Sequence, residues 1–332
     1  MYQPVDVLGL GNSLIDLIAV TDDAYLEAQE MAKGAMTLID EDRAEALYAA
    51  RRDPKIVSGG SAANTMVGVA SFGVSAAYIG KVKQDELGAI FGHDLRSTGV
   101  AYATELAAHG PATGRCFVYV TPDGERTMNT FLGASSYLSP DDVDEARVRS
   151  ASFVYLEGYM WDRPAAKDAF RKAGRIAHAA GARVALTLSD AFCVDRFRGE
   201  FIDLMRTKIV DTVFANTDEA LSLYQTTHLQ EALDAFAAEG VTAVVTRSEK
   251  GSVIVEGEQR VEAPARPIAR LVDTTGAGDL FAAGYLAGLA RGLAPAQCAG
   301  LAALAASEVI QHLGARPTTS LRELAAKAGL AV

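Results

Sequence analysis

Short apolar runs rich in β-branched residues recur along the chain at 5–10, 76–79, 153–156, 184–188, 212–215 and 243–246. Each is too short for a helix and has no polar face, which predicts strands buried in a parallel sheet. Between them the apolar positions fall at helical spacing. Over 85–97, Leu87, Ile90, Phe91 and Leu95 form one stripe, and 165–180 and 229–239 repeat the pattern. This alternation predicts an α/β fold on a doubly wound, mostly parallel sheet.

Two stretches leave the rhythm. Positions 13–20 and 35–40 read as strands around a short helix at 23–30, and 114–132 reads as a hairpin turning at Pro122-Asp123-Gly124. No crossover helices separate these strands, so they predict a second, small sheet. The reading is one domain over 1–332 with a discontinuous β-sheet lid from about 13–40 and 112–132. Towards the end, 280–291 and 295–312 predict two helices rich in Ala and Gly. Gly284 and Gly288 share a face there, which favours tight helix packing. The apolar run 280–290 is about half a membrane span.

Composition removes several classes of function. A hydrophobic fraction of 49% supplies a sizeable core, and a net charge of −11 with no basic cluster argues against a nucleic-acid partner. A small anion remains compatible, because a local nest of N–H groups outweighs the global field at short range. Cys116, Cys193 and Cys298 are far apart and odd in number, which points to free thiols rather than a disulfide framework or a zinc site. The chain opens Met1-Tyr2-Gln3-Pro4 and passes directly into a strand, without a basic and apolar leader. The expectation is a cytoplasmic protein with no membrane partner, monomeric or homodimeric. His93, His109, His178, His228 and His312 are scattered and read as structural.

Three segments carry chemistry. Asp273-Thr274-Thr275-Gly276-Ala277-Gly278-Asp279 opens a helix with a Gly-rich turn, where free backbone N–H groups suit a phosphate or a developing anion. Asp279, in the first helical turn, is placed to take a proton from an attacking hydroxyl. Ser58-Gly59-Gly60-Ser61-Ala62-Ala63-Asn64 opens another helix and brings Asn64 to its first turns, within reach of a polyol. Asn216 and Glu219 follow a strand and share a face three residues apart, an arrangement that holds Mg²⁺ through its water shell. Taken singly, each segment also has an ordinary reading as a helix cap or a glycine turn. Gly9-Leu10-Gly11 is not a dinucleotide fingerprint, because position 14 is Leu14, and there is no Walker A segment.

In order and spacing, these motifs resemble the PfkB/ribokinase family of carbohydrate and nucleoside kinases, from Gly11 to about Pro317. The resemblance implies a ribokinase-like fold with a β-sheet lid, and transfer of the ATP γ-phosphoryl to a hydroxymethyl group. It implies Asp279 as general base, the N–H groups of Gly276, Ala277 and Gly278 as anion hole, and Arg126 as a lid arginine reaching the transferring phosphate. Asn216 and Glu219 would organise Mg²⁺ and the phosphates, with Thr246, Gly251 and Thr275 beside the nucleotide. Asp273 and Thr275 resemble a monovalent-cation (K⁺) site of some members. Arg247-Ser248 departs from the family, which often has a glycine there.

Within the family, Gly11-Asn12-Ser13-Leu14-Ile15-Asp16 and Leu186-Thr187-Leu188-Ser189-Asp190-Ala191-Phe192 resemble the adenosine-phosphorylating members. That likeness implies a ribose site from Asn12, Asp16, Gly60, Ser61 and Asn64, and a base slot from Met36, Leu38 and Phe192. Ser61-Ala62-Ala63 lacks the polar side chains those members often carry, and Leu156-Glu157-Gly158 has an acid seen in some sugar kinases. Two acceptors therefore stand: adenosine at its 5′-hydroxyl, and a fructose, ribose or 2-keto-3-deoxy sugar acid.

Overall fold

A computed structural model describes residues 2–51 and 53–331. Its strands, in chain order, are β1 (Val5–Leu10), β2 (Leu14–Val20), β3 (Met36–Leu38), β4 (Lys55–Gly59), β5 (Ala76–Ile79), β6 (Ala101–Tyr102) and β7 (Gly114–Val120). Then come β8 (Arg126–Phe131), β9 (Ala151–Glu157), β10 (Arg183–Thr187), β11 (Thr212–Asn216), β12 (Thr242–Thr246), β13 (Ser252–Glu256) and β14 (Gln259–Ala263). Nine of them form one sheet in the order β14-β13-β12-β11-β10-β9-β1-β5-β6. The strands from β6 to β12 pair in parallel, and the β13–β14 hairpin closes one edge antiparallel. The six strands expected from sequence all lie in the parallel part. They are buried because helices cover both faces, with one apolar cluster on each side.

The other five strands make the small sheet, ordered β3-β8-β7-β2-β4. The predicted hairpin is β7–β8, antiparallel from Arg115 opposite Phe131 to Val120 opposite Arg126. In this sheet one strand escaped the sequence reading, as did β6 and the β13–β14 hairpin at the edges of the large sheet. β4 pairs antiparallel with β2 and begins at an exposed lysine, and its two buried positions, Ser58 and Gly59, are not apolar. It therefore carries no hydrophobic alternation, and it delivers the chain directly to Gly60 and the helix Ser61–Ser71.

The two Ala/Gly-rich helices, Ala277–Ala290 and Pro295–Val309, pack as the glycine spacing predicts. A Cβ on Gly284 would lie 2.6 Å from the Cα of Ala302, so only glycine admits this approach. The packing fixes the start of the first helix, and with it Asp279, against the main sheet. All three cysteines are free and buried. Among the described residues, no helix is long and apolar enough to cross a membrane.

Candidate active site

A cleft of about 1250 Å³ lies between the small sheet and the carboxyl ends of the parallel strands. Glu157, Thr187, Asn216 and Thr246 line it from the ends of β9, β10, β11 and β12, where open α/β sheets bind ligands. Asp16, Cys116, Arg126 and Met128 face it from the small sheet. All the residues singled out from sequence line this cleft except Asp273, which lies behind the glycine turn.

Gly276 adopts φ +78° and caps the helix Ala277–Ala290. A side chain there would also strike Ala315, 2.7 Å from the ideal Cβ position, so glycine is required twice over. Of the three N–H groups expected to bind an anion, that of Ala277 is already used, donating to the carbonyl of Thr274 at 3.2 Å. The turn itself consumes this donor. The N–H groups of Gly276 and Gly278 meet no acceptor among the described residues.

Asp279 follows at the floor of the cleft. Its Oδ1 accepts from the Ser61 hydroxyl at 2.6 Å, and its Oδ2 from the Asn64 amide at 3.4 Å. Burial pushes its pKa up to about 6, and those two donors oppose the rise. A carboxylate of this strength is ionised at neutral pH yet more basic than an exposed aspartate, which suits a general base.

Asp16 projects from β2 into the same space, and Gly59 leaves room for it: a Cβ there would lie 2.5 Å from its carboxylate. Burial raises Asp16 to about 6 as well, against the pull of Arg316 and Arg126. Asn12 behaves differently from the expectation that it meets substrate. Its Nδ2 donates to Glu157 at 2.7 Å, and its Oδ1 accepts from Ser135 at 2.6 Å. Buried and bonded to protein on both sides, it holds the strand end and keeps only one N–H and one lone pair for anything in the cleft. Glu157 is equally occupied, accepting also from the Ala62 N–H at 2.8 Å, and burial lifts it to about 7.

Asn216 and Glu219 form a reciprocal cap. The Asn216 Oδ1 accepts from the Glu219 N–H at 2.9 Å, and Glu219 accepts from the Asn216 N–H at 3.0 Å and its Nδ2 at 2.7 Å. Each Glu219 oxygen keeps one lone-pair direction free. The donor set therefore fits a Mg²⁺ ion bound through water and not one ligated directly. Thr246 and Gly251 line the cleft beside it, and Gly251 takes φ +82° at the turn into β13. Arg247 is drawn away to Glu262, at 3.0 Å.

Arg126 reaches from β8 across to the glycine turn. Its Nη1 donates to the Thr275 hydroxyl, and its Nη2 lies 2.9 Å from the Asp273 carboxylate. Asp273 also accepts from the N–H groups of Thr275 and Gly314. The expected monovalent-cation site at Asp273 and Thr275 thus does not fit this arrangement, because a guanidinium is already the carboxylate's partner.

Two groups of apolar side chains line the cleft. Met36 and Leu38 of β3 are 50% and 53% exposed, and Phe192 is 68% exposed, so Phe192 is no core residue. All three line the cleft, and Leu38 stands in register with Asp16 across the small sheet, through Thr130 and Cys116. A second apolar group, Ile268, Leu271, Ile310 and Leu313, also lines the cleft, with Leu271 and Leu313 exposed. The sequence reading missed this second patch, since Ile268, Leu271 and Leu313 lie in irregular chain with no periodicity and Ile310, at the end of the helix Pro295–Val309, reads only as a helix residue. It missed Arg316 for a similar reason: its partners are 222 and 252 positions away.

Comparison with known proteins agrees with this layout. The profile of the pfkB family carbohydrate kinases matches residues 14–321. A solved adenosine kinase from Sinorhizobium meliloti is 50% identical, with a TM-score of 0.91 over 98% of this chain and 99% of its own. A protein from Rhizobium etli CFN 42, described as a probable sugar kinase, is also 50% identical, with a TM-score of 0.92 over 99% and 100%. Adenosine kinase of Saccharomyces cerevisiae is 28% identical over 88% of this chain and 90% of its own.

Proposed function

The chain belongs to the pfkB family of carbohydrate kinases and is a phosphotransferase with an alcohol acceptor, and on that premise we propose that the acceptor is adenosine, phosphorylated at its 5′-hydroxyl by ATP. The observation that carries this reading is the exposed apolar trio Met36, Leu38 and Phe192 lining the cleft that also holds Asp16. A free sugar has no planar π-face to stack there. A nucleobase does, and stacking on one aromatic ring contributes roughly 1–3 kcal/mol in nucleic-acid systems. The 50% identical adenosine kinase supports the same choice.

In this reading Asp16 and Asn64 hold the ribose hydroxyls and leave the 5′-hydroxyl at Asp279. Asp279 accepts the hydroxyl proton as the oxygen attacks the γ-phosphorus, and the bond to the ADP oxygen breaks in line. The free N–H groups of Gly276 and Gly278 and the Arg126 guanidinium face the charge that the phosphoryl group carries in transit. Glu219 and Asn216 hold the water shell of a Mg²⁺ ion, which neutralises phosphate charge when bound. The second apolar patch, at Ile268, Leu271, Ile310 and Leu313, takes the adenine of ATP.

A sugar acceptor is the second reading. It is favoured by the polar end being self-contained, with Asp16, Asn64 and Arg316 all within the cleft. Chromatography of products after incubation with adenosine and Mg·ATP tests the choice. Equal amounts of AMP and ADP are expected, and ADP formed only when a free sugar is supplied would sink the adenosine reading.

A further inference from the structure

Arg316 belongs to no motif. It sits in the loop after the helix Pro295–Val309, yet its side chain is only 16% exposed and lines the cleft. Its Nε donates to the Asn64 Oδ1 at 3.0 Å, and its Nη1 to the Asp94 Oδ2 at 2.9 Å. Its Nη2 is enclosed without a hydrogen-bond partner among the described residues.

These contacts decide how Asn64 is oriented. An amide can present either its oxygen or its NH₂ to a neighbour, and a guanidinium only donates. With Arg316 on Oδ1, the Asn64 NH₂ is forced towards Asp279, where it is found. Asp94 extends the network, since it also accepts from the N–H and hydroxyl of Ser58, just before Gly59-Gly60. Arg316 is moreover the larger of the two counter-charges acting on Asp16, ahead of Arg126 and opposed by Asp279.

The loop is built to keep Arg316 there. Glu308 is buried, and its Oε1 accepts from the N–H and hydroxyl of Thr318, both at 2.9 Å, and from those of Thr319, both at 3.2 Å. One carboxylate oxygen thereby gathers the chain just beyond Arg316. A solvated surface arginine would need no such anchor.

We propose that Arg316 is a positioning residue that sets specificity for the acceptor: it fixes the Asn64 amide and faces Asp16, so that the two form a preset pair for acceptor hydroxyls. The proposal rests on Asp16 and Asn64 being the acceptor site, and not on the acceptor being adenosine.

The test compares Arg316→Met and Arg316→Lys with the wild-type enzyme, using whichever acceptor the wild type turns over best. Arg316→Met should raise the acceptor KM roughly ten- to hundredfold, the scale of a lost charge-assisted hydrogen bond, while the KM for ATP stays that of the wild type. Arg316→Lys keeps the charge but not the fork that reaches Asn64 and Asp94 together, so it should recover only part of the loss. An unchanged acceptor KM in folded Arg316→Met, or an equal rise in the KM for ATP, would overturn the proposal. Should Arg316→Met fail to fold, Arg316→Lys decides: a raised acceptor KM supports the proposal, and a wild-type value overturns it. A wild type that prefers a sugar refutes the nucleoside reading alone. An adenosine-preferring wild type with an unmoved acceptor KM in the variants refutes this proposal alone.

Discussion

Asp279→Asn should make the enzyme slower and the protein more stable at once. The substitution keeps the size and planarity of the side chain and removes the charge. Loss of a general base lowers turnover by roughly 10²–10⁴. The stability effect comes from the cost of burying the carboxylate, which raises its pKa from 3.8 to about 6. Each pKa unit is worth about 1.4 kcal/mol, so the ionised side chain costs the fold at most about 3 kcal/mol at pH 7. The sign is opposite to that of a salt-bridged aspartate. Between its two pKa values the folded protein binds the proton more tightly than the unfolded chain, so stability falls as pH rises towards 6. An uncharged amide escapes this cost, less what the new NH₂ loses by facing the Asn64 NH₂. For a chain of this length the gain corresponds to at most about 4 °C in the unfolding midpoint. Turnover is read from ADP release with saturating acceptor, and stability from thermal unfolding of wild type and variant at pH 7. Near-normal turnover would refute the base assignment. A clearly lowered midpoint would refute the account of the raised pKa.

Three further outcomes follow from the same geometry. With Asp279 as the base, ionised above a free-enzyme pKa raised to about 6, kcat/KM for the acceptor should drop from its plateau near pH 6 and fall at least about tenfold for each unit below it. Asp16 titrates in the same window, so kcat/KM for the acceptor should fall more steeply than kcat, and a flat profile from pH 7 to 5 would contradict both. Arg126→Ala removes a guanidinium held over the glycine turn, and steady-state kinetics should show a lower kcat with little change in the acceptor KM; the reverse split would make Arg126 a ground-state binding group. Phe192→Ala should raise the adenosine KM roughly tenfold or more and leave the KM for ATP unchanged, and no change would remove Phe192 from the base slot.

Local signals in the sequence reach as far as the elements that position the site. The parallel strands are legible because burial on both faces demands continuous β-branched runs such as Val5–Leu10 and Thr242–Thr246. The glycine turn before Asp279 and the Asn216–Glu219 cap are legible because their hydrogen bonds close within three or four residues. β4 was lost because its burial comes from Ser58 and Gly59, not from apolar side chains. The bonds that hold Asn12 were hidden because its partners, Glu157 and Ser135, lie 145 and 123 positions along the chain. The same distance in sequence hid the pairing of Arg126 with Asp273, which replaces the expected cation site. Polar networks that join remote segments leave no periodic trace, since each member is a single residue whose role exists only once the chain has folded.

The most direct test of the account is a side-by-side measurement of kcat/KM for adenosine, ribose, fructose and a 2-keto-3-deoxy sugar acid with Mg·ATP, with 5′-deoxyadenosine as the unreactive control. The slot at Met36, Leu38 and Phe192 predicts adenosine ahead of every free sugar by roughly ten- to hundredfold, the discrimination that nucleobase stacking supplies. A free sugar with the higher kcat/KM would contradict it.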